Sequence, residues 1–466
     1  MTGKPEKTKK KGEKIMKKMR VGVVVLGKYY TLSPEEKKIK DHDLRESDAI
    51  NLTADDKIVA EMSARVRALL PGGIDTFTAN AVTENDALNL QDADVYVVVP
   101  FNVIDVVFAA LHSKNRPIVV YAPAFAEFWS YGNVFYPYFM RDVRKIDAMI
   151  GIRPEVYLCK NDGELTEYVG ALLVRFRIRG TKVLCIGEAM YEPYHSFNWG
   201  YEMVRLIQER YGVQWKHIGS DRFIEIFNNS EDGDGSLIAG EAKKNRMPEG
   251  YDLSNPEKTY RIYKKLIEET GANAFTVNCI ESTVHTGCNT TSCYALSKLN
   301  DDGIVAACEA DVTTLMNMLI VSYSSGSPAF MLNPYLFPMD DKLFVSHCTS
   351  PTKHSYDSEE KDEFNIYPYF EIRGLPCGLQ VIKKPGPVTI TGISHDGMDK
   401  MVIVRGELIR NTSFPSCRTQ LEIDVPGGVK KLAECYEGRH WALVYGDQSR
   451  KIANANGMLG IESVVI

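Results

Sequence analysis

Short apolar runs that end in glycine constrain the fold of this chain more than any other feature. The first run is Val21-Gly-Val-Val-Val-Leu-Gly27, and Lys182-Val-Leu-Cys-Ile-Gly187 repeats the pattern. Runs of this length, rich in β-branched residues and closed by glycine, are typical of strands that are buried on both faces of a parallel sheet. We therefore expect an α/β layer to begin at each of the two runs.

Helical and extended patterns alternate after each of these strands. Helix-like stretches occur at 55–70, 103–113, 163–178, 200–210 and 255–270, and further strand patterns occur at 95–100, 117–121 and 274–278. This alternation predicts βαβ units. From about residue 365 helical patterns nearly vanish, and short β-rich runs separated by Gly, Pro and Asp predict a barrel or a sandwich.

The length of 466 residues is sufficient for three domains. The predicted fold class is two Rossmann- or flavodoxin-like α/β domains followed by a β-rich, barrel-like C-terminal domain. We expect a basic disordered tail over 1–20, α/β domains over 21–178 and 179–355, and the β-rich domain over 356–466. Neither glycine-tipped strand carries GxGxxG, which argues against a nucleotide cofactor.

Charge is divided unevenly along the chain. Residues 1–20 hold eight lysines and Arg20 against Glu6 and Glu13, a net charge of +7, so the remainder carries about −13 and the whole chain −6. An acidic folded part lacks the basic stripe that nucleic acid binding requires. We therefore expect a small-molecule ligand and no nucleic acid partner.

Location and redox state follow from what the sequence lacks. It has no run of 18 apolar residues and no signal-peptide pattern, so we expect a cytoplasmic protein without a membrane partner. Ten cysteines lie between Cys159 and Cys435 without a close CxxC pair, which predicts mostly buried thiols. Cys288 and Cys293 have no second pair, so no structural zinc site is predicted.

The segment Gly303-Ile-Val-Ala-Ala-Cys-Glu-Ala-Asp311 brings carboxylates to the end of an apolar strand. Ligands bind at the carboxyl ends of the strands in an open α/β sheet, so Glu309 is placed for chemistry. Asp311 stands just before a helical run. It is either an N-cap that accepts backbone N–H bonds or a catalytic carboxylate.

Two more polar residues follow apolar runs. Asn333 ends Pro328-Ala-Phe-Met-Leu-Asn333, and His347 follows Lys342-Leu-Phe-Val-Ser. A single histidine after a strand is more often a core residue than a ligand. If these strands neighbour the strand before Glu309, however, the three side chains converge. Their oxygen and nitrogen atoms then suit a divalent ion such as Mn²⁺, Co²⁺ or Mg²⁺.

Four segments resemble, in order and spacing, motifs of the L-fucose isomerase and L-arabinose isomerase superfamily, and most closely its fucose-isomerase-like group. They are Ala307-Cys-Glu-Ala-Asp311, Pro328-Ala-Phe-Met-Leu-Asn333, Ser346-His-Cys-Thr349 and Gly438-Arg-His440. The resemblance is clearest over residues 272–351, weaker around His440 and only architectural over 21–270.

The resemblance implies an enzyme that interconverts an aldose and a ketose sugar at a bound divalent metal, usually Mn²⁺. It implies a subunit of two α/β domains and a β-rich domain in a homo-oligomer, a hexamer or a trimer. By motif position, Glu309 matches the metal-binding glutamate that also transfers the proton. His347 and His440 match histidine ligands, and Asn333 occupies a fourth ligand position.

Asn333 departs from the family pattern, because the two named isomerases have a second carboxylate there. An amide oxygen can bind a metal but cannot act as a general base. Either Asp311, Asp340 or a metal-bound water takes the proton, or the reaction differs from simple isomerisation.

Three aromatic residues, Trp129, Tyr131 and Trp199, are candidates for stacking on a sugar face, and core or subunit packing would explain them equally well. The alternatives to isomerisation are epimerisation or another reaction of a modified sugar on the same scaffold. A sugar-binding protein without catalysis is a further alternative, because paired α/β domains also suit ligand capture.

Overall fold

The computed structural model describes residues 17–27, 30–32, 52–54, 56–100, 105–121, 137–151, 155–189, 198–284, 286, 288–337, 341–372, 374–395 and 397–466. These residues form two compact units, Lys18–Leu173 and Val174–Ile466.

A parallel sheet forms the centre of the first unit. The elements are β1 (Met19–Leu26), β2 (Tyr30–Leu32), β3 (Leu52–Ala54), α1 (Asp56–Leu69), β4 (Ile74–Ala81), α2 (Glu84–Leu88), β5 (Val95–Pro100), α3 (Asp105–His112), β6 (Ile118–Tyr121), α4 (Pro137–Met149), β7 (Val156–Cys159) and α5 (Asp162–Arg179). Five strands pair in parallel in the order β4-β1-β5-β6-β7, and β2 pairs with β3 separately. The strands predicted at 21–27, 95–100 and 117–121 are confirmed as β1, β5 and β6.

The start of β1 corrects the boundary of the predicted tail. Met19 is fully buried, and the backbone N–H of Arg20 donates to the carboxylate of Asp94 at 2.8 Å. The strand therefore includes the last two residues assigned to the disordered tail. Residues 1–16 of that tail lie outside the described residues.

A second parallel sheet opens the second unit. Its elements are β8 (Lys182–Ile186), α6 (Asn198–Tyr211), β9 (Gln214–Ile218), α7 (Ser220–Asn228), α8 (Ser236–Glu241), β10 (Lys244–Asn245), α9 (Ser254–Thr270), β11 (Ala274–Val277), a π-helical turn (Ile280–Val284), α10 (Cys293–Asp301), β12 (Val305–Ala307) and α11 (Val312–Ser325). The strand order is β12-β11-β8-β9, with every pair parallel. The predicted second α/β layer is thus present.

The rest of the second unit is built around a closed barrel. Its elements are β13 (Phe330–Phe337), β14 (Lys342–His347), β15 (Phe364–Tyr367), β16 (Gly378–Val381), β17 (Gly386–Ile393), β18 (Lys400–Asn411), β19 (Thr419–Asp424), α12 (Gly428–Glu434), β20 (Trp441–Tyr445), α13 (Ser449–Leu459) and β21 (Glu462–Val465). Six strands follow the order β17-β20-β13-β14-β19-β18, and pairing of β17 with β18 closes the ring. Strand β21 adds to β18 in parallel, while β10, β15 and β16 form a small separate sheet.

The barrel begins earlier in the chain than the sequence indicates. Strands β13 and β14 are antiparallel to each other, and they pair with β20 and β19. They therefore belong to the barrel and not to the α/β layer predicted over 179–355. The start of the β-rich part moves from 356 to Phe330, because these strands hydrogen-bond to partners far along the chain.

Helix α11 joins the parallel sheet to the barrel. Nearly all of its residues are buried, and it packs against β12 of the parallel sheet and against β17 and β20 of the barrel. The Asn317 amide donates to the backbone oxygen of Thr391 at 2.8 Å, and the Thr391 hydroxyl donates back at 2.7 Å. This buried pair fixes the position of the helix that follows Glu309.

Two predictions from composition can be compared directly with the structure. All ten cysteines are free thiols, eight of them buried, as expected. In the described ranges, every helix is too short or too polar to span a bilayer.

Candidate functional site

A strained turn after β12 presents Glu309. The backbone is left-handed at two successive residues, with φ of 61° at Glu309 and 49° at Ala310. The Ala310 N–H donates to the backbone oxygen of Val277, the last residue of the neighbouring strand β11, at 2.8 Å. Left-handed backbone at residues other than glycine is costly and concentrates at functional sites. The turn leaves the Glu309 side chain about 20% exposed at the carboxyl edge of the sheet.

The barrel supplies two histidines to this carboxylate. His347 is the last residue of β14, and His440 directly precedes β20, so both flank β13. The Nε2 atom of each histidine lies 3.7 Å from a different carboxylate oxygen of Glu309. The two rings are nearly perpendicular, with centroids 5.7 Å apart. Glu309, His347 and His440 come from separate parts of the chain and lie close together, and the predicted convergence with Asn333 stays a prediction.

The Nδ1 atom of each histidine has its own partner. His440 Nδ1 lies 2.8 Å from the carboxylate of Asp311, and His347 Nδ1 lies 2.9 Å from the hydroxyl of Thr349. An ionised carboxylate only accepts, so the Nδ1 of His440 carries the hydrogen and its Nε2 offers a lone pair when the ring is neutral. Both rings are thereby oriented with Nε2 toward Glu309.

Asp311 has a structural role besides orienting His440. Its carboxylate accepts hydrogen bonds from the backbone N–H of Thr314 and from the hydroxyls of Thr313 and Thr314, all at 2.8 Å. The N-cap interpretation of Asp311 is confirmed. Its predicted part in proton transfer stays a prediction.

The electrostatics keep the carboxylates ionised. Burial alone would raise the pKa of Glu309, but the charges of His440, His347 and Arg439 lower it to about 2. Burial would likewise raise the pKa of Asp311, and its pairing with His440 lowers it. Two carboxylates that stay charged at neutral pH create a negative potential suited to a cation.

The two histidines respond in opposite directions. Burial lowers the pKa of His347, and the nearby Glu309 carboxylate opposes this shift only in part. Burial also disfavours the charged form of His440, but Glu309 and Asp311 raise its pKa above the ordinary value. The difference follows from the second partner, which is a carboxylate for His440 and a hydroxyl for His347.

The donor set fits a divalent cation. His440 Nε2 is buried and has no hydrogen-bond partner among the described residues. The sulfur of Cys308, one oxygen of Glu309 and one ring nitrogen of His347 lie within 4.8 Å of one another. Within the described part of the chain, this is the one group of three such side chains close enough to share a metal ion. A histidine whose Nδ1 is held by a carboxylate is a common arrangement for a metal ligand. Glu309, His347 and His440 are thus the residues that would hold an ion.

Asn333 lies close to this group by strand register. It sits inside β13, where it pairs with Ser346, and it directly follows Leu332, which pairs with Trp441. In the parts of the chain that the structure describes, no hydrogen bond joins its half-buried side chain to Glu309 or to either histidine. Its role as a metal ligand stays a prediction.

The structure does not describe the side chains of the aromatic candidates and of one candidate acid. Trp129, Tyr131 and Asp340 are outside the described residues. Trp199 belongs to α6, but its side chain is outside the described part. Sugar stacking by the two tryptophans and proton transfer by Asp340 therefore stay predictions.

Thr349 and Cys308 are site residues that sequence reasoning did not select. A hydroxyl two residues after a histidine is a weak signal, and Thr349 follows His347 at that spacing. Cys308 precedes Glu309, and adjacent residues of a strand normally face opposite ways. The left-handed turn at Glu309 and Ala310 is what brings Cys308 and Glu309 to the same side, facing His347.

Comparison with known proteins finds no family model that matches this chain. It is 26% identical to sulfoquinovose isomerase of Priestia aryabhattai and of Priestia megaterium, over 182 residues that make up 37% of this chain and 40% of each relative. It is 23% identical to sulfoquinovose isomerase of a Clostridium species over 211 residues, 44% of this chain and 47% of the relative. The matched part thus spans less than half of each relative.

Proposed function

We propose that this chain is a metal-dependent sugar isomerase that interconverts an aldose and a ketose. The observation that carries the proposal is the Glu309 carboxylate, whose two oxygens each lie 3.7 Å from Nε2 of a buried histidine. Similarity to proteins named sulfoquinovose isomerase supports the same class of reaction. Sulfoquinovose is therefore one candidate substrate among several sugars.

The proposal includes membership of the L-fucose isomerase and L-arabinose isomerase superfamily. Two doubly wound α/β domains and a barrel would then make up the subunit, and the strand orders β4-β1-β5-β6-β7 and β12-β11-β8-β9 support this layout. The homo-oligomer and the cytoplasmic location expected from the sequence belong to the same proposal.

Glu309, His347 and His440 would hold the metal, with the amide oxygen of Asn333 as a further ligand. Carboxylate, imidazole and amide groups together suit Mn²⁺, with Co²⁺ and Mg²⁺ as alternatives. When bound, such an ion polarises a sugar carbonyl and makes the neighbouring C–H more acidic.

Glu309 is the residue that would move the proton between C1 and C2. Its lowered pKa keeps it ionised at neutral pH, so it can accept a proton, and its partial exposure leaves it open to a substrate. Asp311 is surrounded by donors and holds His440 in place. Glu309 would take the proton from C2 and return it to C1, and the proton that passes between the two sugar oxygens would move through another group, for which Asp340 or a water is the candidate.

Replacement of Glu309 tests the proposal. Purified protein reconstituted with Mn²⁺ is incubated with a panel that includes sulfoquinovose, L-fucose and L-arabinose in deuterated water. We expect turnover of one panel member with deuterium at C1 or C2. We expect E309Q to lower kcat by about 10²- to 10⁴-fold. E363Q, which removes an exposed carboxylate paired with Lys243, is the matched control and should keep full activity.

Full activity of E309Q would refute the assigned role of Glu309. Tight sugar binding in the presence of a chelator, without turnover after metal is added, would instead support the sugar-binding alternative.

Asn333 favours a second candidate, epimerisation or another reaction on the same scaffold. The amide cannot act as a base, and the four hydrogen bonds to Asp311 leave that carboxylate committed to α11 and His440. Product analysis separates the candidates, since an epimerase returns a sugar with the same carbonyl position and one inverted carbon.

A further inference from the structure

Cys308 faces the same space as the proposed metal ligands. Its Sγ, a Glu309 oxygen and a His347 ring nitrogen lie within 4.8 Å of one another. The left-handed φ angles of Glu309 and Ala310 explain why neighbouring side chains point to one place, because an extended strand would direct them to opposite faces. Cys308 is only 3% exposed, so its thiol is directed into the protein.

Two other sulfur atoms contact Cys308, one at its thiol and one at its backbone nitrogen. Cys279, just beyond β11, places its Sγ 3.4 Å from the Sγ of Cys308. The backbone N–H of Cys308 donates to the sulfur of Met331 on β13 at 3.3 Å. The Cys308 thiol therefore lies between the sulfur of Cys279 and the oxygen and nitrogen donors of Glu309 and His347 that it accompanies.

The sulfur atom changes which metal ions the site prefers. Manganese and magnesium ions prefer oxygen and nitrogen, whereas zinc binds thiolate, imidazole and carboxylate together in tetrahedral sites. With Cys308, Glu309 and His347 as three ligands, the fourth position of a tetrahedral zinc site falls to Nε2 of His440 or to a small molecule.

We infer that Cys308 supplies a thiolate ligand to zinc, which Glu309 and His347 bind at the same time. The inference rests on the metal centre of the proposed function and adds a sulfur ligand to it. When zinc binds, the Cys308 thiol loses its proton to solvent and a Zn–S bond forms, without any change of oxidation state. Zinc is thereby favoured over harder ions at a site otherwise suited to both.

X-ray absorption at the zinc edge tests the ligand directly. The full-length protein, stripped with a chelator, kept reduced and loaded with one equivalent of Zn²⁺, should show one sulfur at about 2.3 Å beside nitrogen and oxygen at about 2.0–2.1 Å. C308S should show nitrogen and oxygen only. C279S removes the neighbouring buried thiol and is the matched control, which should keep the sulfur shell.

Zinc affinity gives a second readout. Replacing a group outside the ligand shell of a metal typically costs 10- to 100-fold in affinity, so loss of a direct ligand in C308S should weaken zinc binding by at least about tenfold. Competition with a chromophoric chelator measures this change. Mn²⁺ affinity, which does not depend on the sulfur, should stay within about twofold of wild type.

A shell of nitrogen and oxygen alone in the wild-type protein would overturn the inference, as would a sulfur shell that persists in C308S. The wild-type spectrum decides the matter even if C308S fails to fold. Neither readout uses turnover, so failure of the isomerase proposal and failure of the thiolate ligand are distinguishable.

Discussion

Asp311 connects a helix to the site through one carboxylate. It caps α11 through the N–H of Thr314 and orients His440 through Nδ1. Helix capping and ring orientation are separable, because asparagine is also a good N-cap but carries no charge to stabilise an imidazole ligand.

D311N should therefore weaken Mn²⁺ binding by about 10- to 100-fold and destabilise the metal-free protein less than D311A does. D311A loses the cap as well, which costs about 1 kcal/mol more. Electron paramagnetic resonance of free Mn²⁺ measures the affinity, and denaturant unfolding measures the stability. Equal Mn²⁺ affinity in D311N and wild type would contradict the orienting role.

Glu309 predicts a pH dependence of the metal-free protein. Its pKa is about 2 in the folded chain, below the ordinary glutamate value of about 4.3. At pH values between these two pKa values, the folded state therefore binds fewer protons than the unfolded state. The stability that Glu309 contributes is present above about pH 5 and is lost as the pH falls toward 2. The contribution is on the order of 2–3 kcal/mol.

The stability difference between wild type and E309Q in chelator should grow as the pH rises from about 3 to 5 and then level off. Urea unfolding at several pH values measures it. E363Q, which changes an exposed carboxyl, is the control and should show no comparable trend. A difference that does not vary with pH would show that Glu309 is not held in its charged form.

The sequence could identify some site residues and not others. Glu309 was predictable because it directly follows an apolar strand, whereas His440 was selected only through family resemblance. The contact of Asp311 with His440 spans 129 residues, and the direction of Cys308 depends on a backbone conformation that no local pattern encodes. Tertiary packing sets such features, and the hydrophobic periodicity of the sequence carries no information about them.

At the scale of elements, the buried parallel strands were predictable and the barrel boundary was not. Apolar runs rich in β-branched residues predict five of the parallel strands from sequence alone, namely β1, β5, β6, β8 and β11. The run Phe330–Leu332 is equally apolar, although it has no β-branched residue, and it pairs with Trp441–Leu443 in the barrel. Helix α12 begins with a glycine and α13 contains two asparagines and a glycine, which lower helix propensity, so local sequence predicts neither helix well.

Gly392 in β17 connects barrel packing to the site. A Cβ at this position would lie 2.3 Å from the Trp441 ring and 2.4 Å from the backbone oxygen of Glu437. Trp441 is fully buried, and its Nε1 donates to that same oxygen at 2.7 Å. An added methyl group must therefore displace the tryptophan, and His440 is the adjacent residue.

G392A should destabilise the protein by about 1–3 kcal/mol or more, and it should weaken metal binding because His440 moves with Trp441. Thermal unfolding with and without Mn²⁺ measures both effects. G457A is the matched control within the same unit, because a Cβ there meets nothing within 4 Å and alanine favours helix α13. Unchanged stability of G392A would show that the barrel relaxes around the tryptophan.

At the scale of the whole molecule, the described site residues lie within the unit Val174–Ile466. Within that unit they come from two layers, a parallel sheet and a barrel of antiparallel strands. The turn after β12 belongs to the parallel sheet, and β14 and β20 belong to the barrel. A site assembled across two layers needs both to be formed, and α11 holds them together through the pair Asn317 and Thr391.

A bound ion would add a second link between these layers, so metal should stabilise the fold. An ion that binds only the folded chain, at a free concentration of 100 times its Kd, contributes about 2.7 kcal/mol. We expect the midpoint of thermal unfolding to rise with Mn²⁺ and to fall with a chelator. H440Q should abolish most of the rise, since it removes one of the two histidine ligands that the barrel supplies, while E363Q should keep it. If H440Q kept the full rise, the stabilising ion would bind elsewhere, and the parallel sheet and the barrel would be joined by α11 and side-chain packing alone.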